Sequence, residues 1–323
     1  MIVIRKRGIM KTILLTLLIP AIGFSSDWIA ALDQARAAMN HGEFVNAEQI
    51  LNSTIDQAQA KSGHNSTVLD QPLEMLAQVY QREKRFTDAA ATQQWRIDIW
   101  TALAGENGVV VGRVLHQLSA AELQAGNLPG AEADSRRALA IMTAAFVDKP
   151  PAAQAAADLA DVLIAENRND EAEQMLALAE KTFATSLGSA SMLATGIATR
   201  RAAVLRKLGR TAEAEQLATA PKLAVYRVGG TGQNKVVAPH IESKVEPQYA
   251  EEARKGKLQG SIQLSLVVDV TGAPTQIAIL HPLGMGLDEK AIEAISQWKF
   301  TPGTKNGAPV PVYTQVEMTF HLL

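Results

Sequence analysis

Two hydrophobic periods divide the chain. Between residues 27 and 220 apolar side chains recur at the spacing of amphipathic helices; beyond residue 260 the spacing contracts to two. The helical part repeats itself. Gly42–Glu48, Lys84–Ala90, Gly126–Glu132, Asn167–Glu173 and Gly209–Glu215 begin 42, 42, 41 and 42 residues apart. Five residues after each start stands Ala47, Ala89, Ala131, Ala172 or Ala214. Seven before stands Ala35, Ala77, Ser119, Ala160 or Ala202. A fixed period of this length marks a solenoid of stacked helix–turn–helix units. The polar start of each repeat is the turn. The small residues lie on the two helices beside it, where they let the axes approach to the short end of about 8–10 Å. Leu76, Val79 and Tyr80, with their counterparts in later repeats, fill the space between. Lys61–Thr67, Gly105–Gly108 and Asp148–Pro151 read as loops between repeats.

In Ser261–Asp269 the residues Ile262, Leu264, Leu266 and Val268 share a face. In Val310–Leu322 the shared face holds Val310, Val312, Val316, Met318, Phe320 and Leu322. This alternation is that of a half-buried antiparallel sheet. A turn at Val270–Ala273 leads into a short strand near Thr275–Leu280. Asp288–Trp298 has helical spacing, with Asp288 and Glu289 suited to the positive end of the helix dipole. An earlier short helix is expected over Pro247–Lys255. The fold class is an all-α helical-repeat solenoid followed by a small α+β domain, a three-stranded antiparallel sheet with a covering helix. The boundaries are 1–26 for a leader, 27–220 for the repeats, 221–236 for a linker and 237–323 for the sheet domain. Arg227–Asn234 contains three glycines but lacks both the spacing and the preceding strand of a phosphate loop.

Arg5, Lys6, Arg7 and Lys11 precede an apolar run, Thr12–Phe24, which is too short for the ~30 Å hydrocarbon core and carries Pro20. Small residues at Ala21, Gly23 and Ser25 suit a cleavage site, so the segment reads as a secretory signal. The formal net charge is −2, and losing those four cations would leave −6, so the basic footprint of a nucleic-acid binder is missing. The chain has 53 alanines and no cysteine. That excludes disulfides, a Cys-ligated metal, a thiol nucleophile and a lipid-bearing cysteine. The six histidines show no paired ligand spacing, and no nucleophile elbow or Walker loop is present. No cofactor or metal is expected.

The repeats resemble the tetratricopeptide (TPR) family, in which a small residue is followed by Gly seven positions on and Ala five beyond. Here the Gly is replaced at Lys84 and Asn167, and the period exceeds the usual ~34 residues. The resemblance implies a concave groove lined by the first helix of each pair. The groove candidates are Glu74, Gln78, Arg113, His116, Asp161 and Arg206. The last 80 residues resemble the C-terminal domain of the TonB energy-transducer family. Pro247, Tyr249, Ala253, Gln259-Gly260, Val267–Gly272, Gly286-Leu287-Asp288, Ala291, Trp298–Pro302, Gly307 and Pro309-Val310 carry the likeness. One departure is Ala250, where the family usually has Pro.

This second resemblance implies a periplasmic domain that grips an extended segment of an outer-membrane receptor by adding it to a sheet edge. If the first strand is central, the last strand offers that edge, through Tyr313, Gln315, Val316, Glu317 and Thr319. Pro311 removes a donor at its start. At about 0.5–1.5 kcal/mol per hydrogen bond, some five bonds give roughly micromolar affinity at best. The reading is a periplasmic protein–protein interaction module with protein partners, touching the membrane only if the leader is uncleaved. Two alternatives stay open, a membrane-anchored atypical energy transducer and a periplasmic enzyme. Against the first, Thr12–Phe24 has no His and no Pro-rich arm follows it.

Overall fold

The computed structural model describes residues 26–218, 225–229, 231, 235–255 and 258–320. The leader lies outside them, apart from Ser26. Among the described residues ten α-helices come first: α1 (Ser26–Asn40), α2 (Phe44–Ser62), α3 (Asp70–Arg82), α4 (Phe86–Ala104), α5 (Val109–Ala125), α6 (Leu128–Ala145), α7 (Pro150–Ala165), α8 (Asn169–Leu187), α9 (Met192–Lys207) and α10 (Thr211–Ala218). Each packs on the next, giving five helix pairs. The small-residue columns sit at the contacts. Ala35, Ala77, Ala160 and Ala202 are buried, as are Ala47, Ala89, Ala131, Ala172 and Ala214. Ser119, the one hydroxyl in the first column, donates to the Ala131 carbonyl at 2.9 Å, which satisfies it where Ala needs nothing.

The first residue of every turn has a left-handed backbone: Gly42 (φ 76°), Lys84 (59°), Gly126 (82°), Asn167 (62°) and Gly209 (75°). The following amide reaches back to close the helix end, as in Glu43 N to Ala38 O at 2.9 Å and Arg85 N to Tyr80 O at 2.8 Å. Glycine takes this conformation without a Cβ clash and asparagine tolerates it; lysine does neither. Lys84→Gly is therefore expected to stabilise the repeats by about 0.5–1 kcal/mol, after the added chain entropy of glycine is discounted. A thermal midpoint equal to or below that of the wild type would contradict this.

The rest of the chain comprises β1 (Tyr226–Arg227), β2 (Val236–Val237), β3 (His240–Ser243), α11 (Glu251–Lys255), β4 (Gly260–Val268), β5 (Pro274–His281), α12 (Leu287–Ile295), β6 (Lys299–Thr301), β7 (Thr304–Lys305), β8 (Ala308–Pro309) and β9 (Val312–Phe320). The main sheet has the order β1-β9-β4-β5. Its centre is β4, antiparallel to β5 and, from Gly260↔Phe320 to Val268↔Val312, to β9. The three expected strands are thus present. The fourth, β1, lies in the stretch read as linker and runs parallel to the start of β9. Two ribbons, β3-β6 and β2-β7-β8, complete the domain; strands this short carry no period of their own.

Ile262, Leu264, Leu266 and Val268 of β4 pack with Met318 and Phe320, with Leu287, Ala291 and Ile295 of α12, and with Trp298 and Phe300. The same apolar cluster continues into Val110, Val114, Leu115 and Leu118 of α5. The sheet domain is therefore seated on the repeats. The motif residues that carried the likeness serve this packing. Asp288 accepts the amides of Leu283 (2.8 Å) and Gly284 (2.9 Å), and Trp298 Nε1 donates to the Val245 carbonyl at 2.9 Å. At Gly272 (φ +86°) a Cβ would lie 1.9 Å from the Phe300 carbonyl oxygen, so no side chain fits.

Candidate partner-binding site

Helices α3 and α5 of the repeats and the outer face of the sheet meet at a polar seam. On β4, Ser261 and Gln263 alternate with the core residues and so face away from α12; on β9, Gln315 and Glu317 do the same. Across from them, α3 and α5 present Glu74, Gln78, Gln81, Arg113, His116 and Gln117, around a cavity of about 430 Å³. A second cavity of about 480 Å³ shares Glu74, Gln78, Gln81, Ser261 and Glu317 with it and extends along α1 and α3.

The floor is an ion network. Asp70 accepts Arg96 Nε and Trp100 Nε1, each at 2.7 Å. Glu74 Oε1 accepts Arg113 Nη1 at 3.0 Å and Gln117 Nε2 at 3.1 Å. Arg96, Arg113 and Asp70 are all buried. Burial opposes ionisation of Glu74, but the cations of Arg96 and Arg113 outweigh it and hold its pKa down at about 2. Glu74 and Arg113, read in sequence as groove contacts, thus spend their charge on each other and on α4.

The seam is pinned at its far side. His116 of α5 stacks on His281 of β5, with ring centroids 4.5 Å apart, and its Nδ1 lies 2.8 Å from Asp158 Oδ2 of α7. Burial disfavours the charged form of His116, but Asp158 outweighs it and raises the pKa. For His281, burial and the neighbouring His116 act together and push the pKa down to about 3. The two rings are pushed in opposite directions: Asp158 favours the charged form of His116, and burial keeps His281 neutral.

The free edge is on β9. Tyr226 N donates to the Pro311 carbonyl at 2.9 Å, and Arg227 pairs with Tyr313 and stacks its guanidinium 5.0 Å over that ring. The Pro311 carbonyl therefore points away from β4. By the two-residue alternation of an antiparallel ladder, so do the backbone groups of 313, 315, 317 and 319. β1 already occupies the edge at Tyr313, which corrects the expectation of a free start there. Beyond it, Gln315, Val316, Glu317 and Thr319 have no outer strand among the described residues.

The structure thus gathers Glu74, Gln78, Arg113 and His116 with Gln315, Val316 and Glu317. Asp161, bonded to Arg200, and Arg206, exposed on α9, line neither cavity. Asp70, Arg96, Asp158 and His281 were not singled out in the sequence. Asp70 and Arg96 are 26 residues apart and on different helices, and His281 closes a strand, so no local spacing marks them. Among the described residues no group of three or more His, Asp and Glu could hold a metal, and no helix is long and apolar enough to cross a membrane.

The fold defines a TPR-like helical array with a small α+β domain seated on it. Residues 245–322 match the family described as Gram-negative bacterial TonB protein C-terminal. Protein TonB of Vibrio cholerae is 32% identical over 83 residues, which are 25% of this chain and 34% of that protein; the chain spans about a third of the length of that curated relative. Among solved structures, a Podosopora anserina kinesin light chain with nearly identical TPR-like repeats aligns at a TM-score of 0.55 and 17% identity, covering 61% of this chain and 93% of that one. BtubC from P. vanneervenii aligns at 0.51 and 17%, covering 59% and 85%. These two show the fold of the repeats. The chain joins TPR-like repeats to a domain that matches the TonB C-terminal family over residues 245–322.

Proposed function

We propose that this chain is an envelope protein-interaction module of the TonB type, which takes an extended segment of an outer-membrane receptor or other envelope protein as an added strand on β9. The observation that carries the reading is the outer edge of β9 from 314 onward, which lacks a strand neighbour among the described residues in a domain that matches the TonB C-terminal family. Such an edge offers evenly spaced donors and acceptors at no cost to the core. The repeats act as the seat that holds this edge in position. The periplasm is the compartment this reading requires.

The test is a binding titration of labelled N-terminal segments of outer-membrane receptors against residues 26–323 and against Gln315→Pro. The amide of 315 points outward, so proline removes an edge donor while leaving the ladder to β4 unbroken. Wild type is expected to bind at roughly micromolar Kd, and the variant to lose at least about tenfold. Equal binding by both, with Gln315→Pro folded, contradicts the reading.

A further inference from the structure

The free edge of β9 does not face open solvent along its whole length. Gln315, Val316 and Glu317 line the first cavity, and Ser261 and Glu317 also line the second. The other walls of the second cavity come from the start of the repeats and are mostly polar, with Arg82 of α3 among them; their apolar members are Met39 of α1, Phe44 at the head of α2 and Met75 of α3. A strand added to β9 starts beyond β1, passes Gln315 at the first cavity and reaches the second at Glu317.

Most of the enclosure's lining is polar, and three apolar groups are set into it. Met39 and Phe44 are half-buried and Met75 is buried, so three soft apolar groups back the space. Methionine adapts to side chains of varied shape. Arg82 stands beside them, exposed, with no ion-pair partner among the described residues. Arg85, three residues on, shows the contrast, since it is paired to Glu48, Glu83 and Asp88. Glu74 cannot serve Arg82, because it is committed to Arg96 and Arg113. The enclosure holds an unspent cation beside three apolar groups, with the exposed Glu317 carboxylate also on its wall.

We propose that the repeats form the second wall of the strand-addition site, and that this wall selects an extended segment whose inner end carries a large apolar residue and, close to it, a carboxylate. The apolar residue lodges among Met39, Phe44 and Met75, and the carboxylate meets Arg82. The proposal rests on strand addition at β9. It goes further in making the first two repeats a specificity element, which a TonB-type domain alone does not possess.

The probe is a phage-displayed library of random dodecapeptides, selected on residues 26–323, with the enriched peptides remade with a fluorophore for anisotropy. Enriched peptides are expected to pair an aromatic or long aliphatic residue with Asp or Glu. Their affinity should fall about tenfold with Arg82→Glu, and also with Met75→Gln, as well as with Gln315→Pro. Arg82→Gln, which leaves no new charge, should lose less. Selection on Arg82→Glu should replace the acidic residue by Lys or Arg. If Gln315→Pro abolishes binding while Arg82→Glu and Met75→Gln leave it unchanged, strand addition stands and the second wall is refuted. If Gln315→Pro leaves binding unchanged, strand addition itself fails and the second wall with it. A library that yields no enriched sequence refutes the selectivity claimed here.

Discussion

Asp70→Asn is expected to destabilise the repeats by about 3–5 kcal/mol. Asp70 sits at the head of α3, buried, and takes Arg96 Nε at 2.7 Å, Arg96 Nη2 at 3.2 Å and Trp100 Nε1 at 2.7 Å. Arg113 Nη2 is 3.8 Å away. Arg96 is fully buried. Removing the carboxylate charge strands that guanidinium with Glu74, 3.5 Å off and shared with Arg113, as its remaining anion. Breaking a buried pair in this way costs far more than a surface pair, because the surviving charge has no water to return to. Urea unfolding of the two proteins checks it. A difference under about 1 kcal/mol would mean that Gln93 and Gln117, which also accept from Arg96, suffice.

The second large effect is a pH dependence of the seating of the sheet domain. His281 faces His116 and Arg113 of α5, Asp158 of α7 and, at longer range, Glu74 of α3. Its pKa falls from an ordinary value near 6.5 to about 3 when seated. The seated form therefore binds fewer protons than the released form between those values, and loses stability as the pH drops below about 6.5. At pH 5 the loss is about 1–2 kcal/mol, the lower figure allowing for the partial exposure of the ring. His116 has the opposite sense. Its pKa is raised by Asp158, but both residues belong to the repeats, so that linkage bears on the folding of the repeats and not on the seating. Seating is firm at neutral pH and weakens on the acid side. Proximity of labels on α7 and β5, followed from pH 7.5 to 5, should show release on the acid side. His281→Gln should flatten the acid limb. An unchanged acid limb in that variant would assign the effect elsewhere.

Much of the architecture was legible because it is periodic. Ten small residues at fixed offsets named the helix contacts before any helix was placed, and all ten are buried. The turn residues were legible too, although the reason for Lys84 and Asn167 in a glycine column came only with their positive φ. The TonB-like motifs were dense, yet Gly272, Asp288 and Trp298 report how that domain folds, not what it binds. The groove candidates were chosen as a polar stripe on first helices. Four of the six do face the seam, but sequence gives no sign that the sheet domain itself lies against them. That contact is made by residues from opposite ends of the chain, such as His116 with His281, and only folding brings them together. Tyr226–Arg227 escaped for a related reason, because two residues cannot show a period.

The central claim is that β9 accepts a strand on its outer edge. Per-residue amide exchange, with and without a bound receptor segment, tests it most directly. The amides of Ile262-facing Met318 and Leu264-facing Val316 already point into the sheet. Binding should therefore slow exchange at Gln315, Glu317 and Thr319 and leave 316 and 318 nearly unchanged. Protection confined to the repeat helices, with the odd-numbered amides of β9 exchanging as before, would contradict the account.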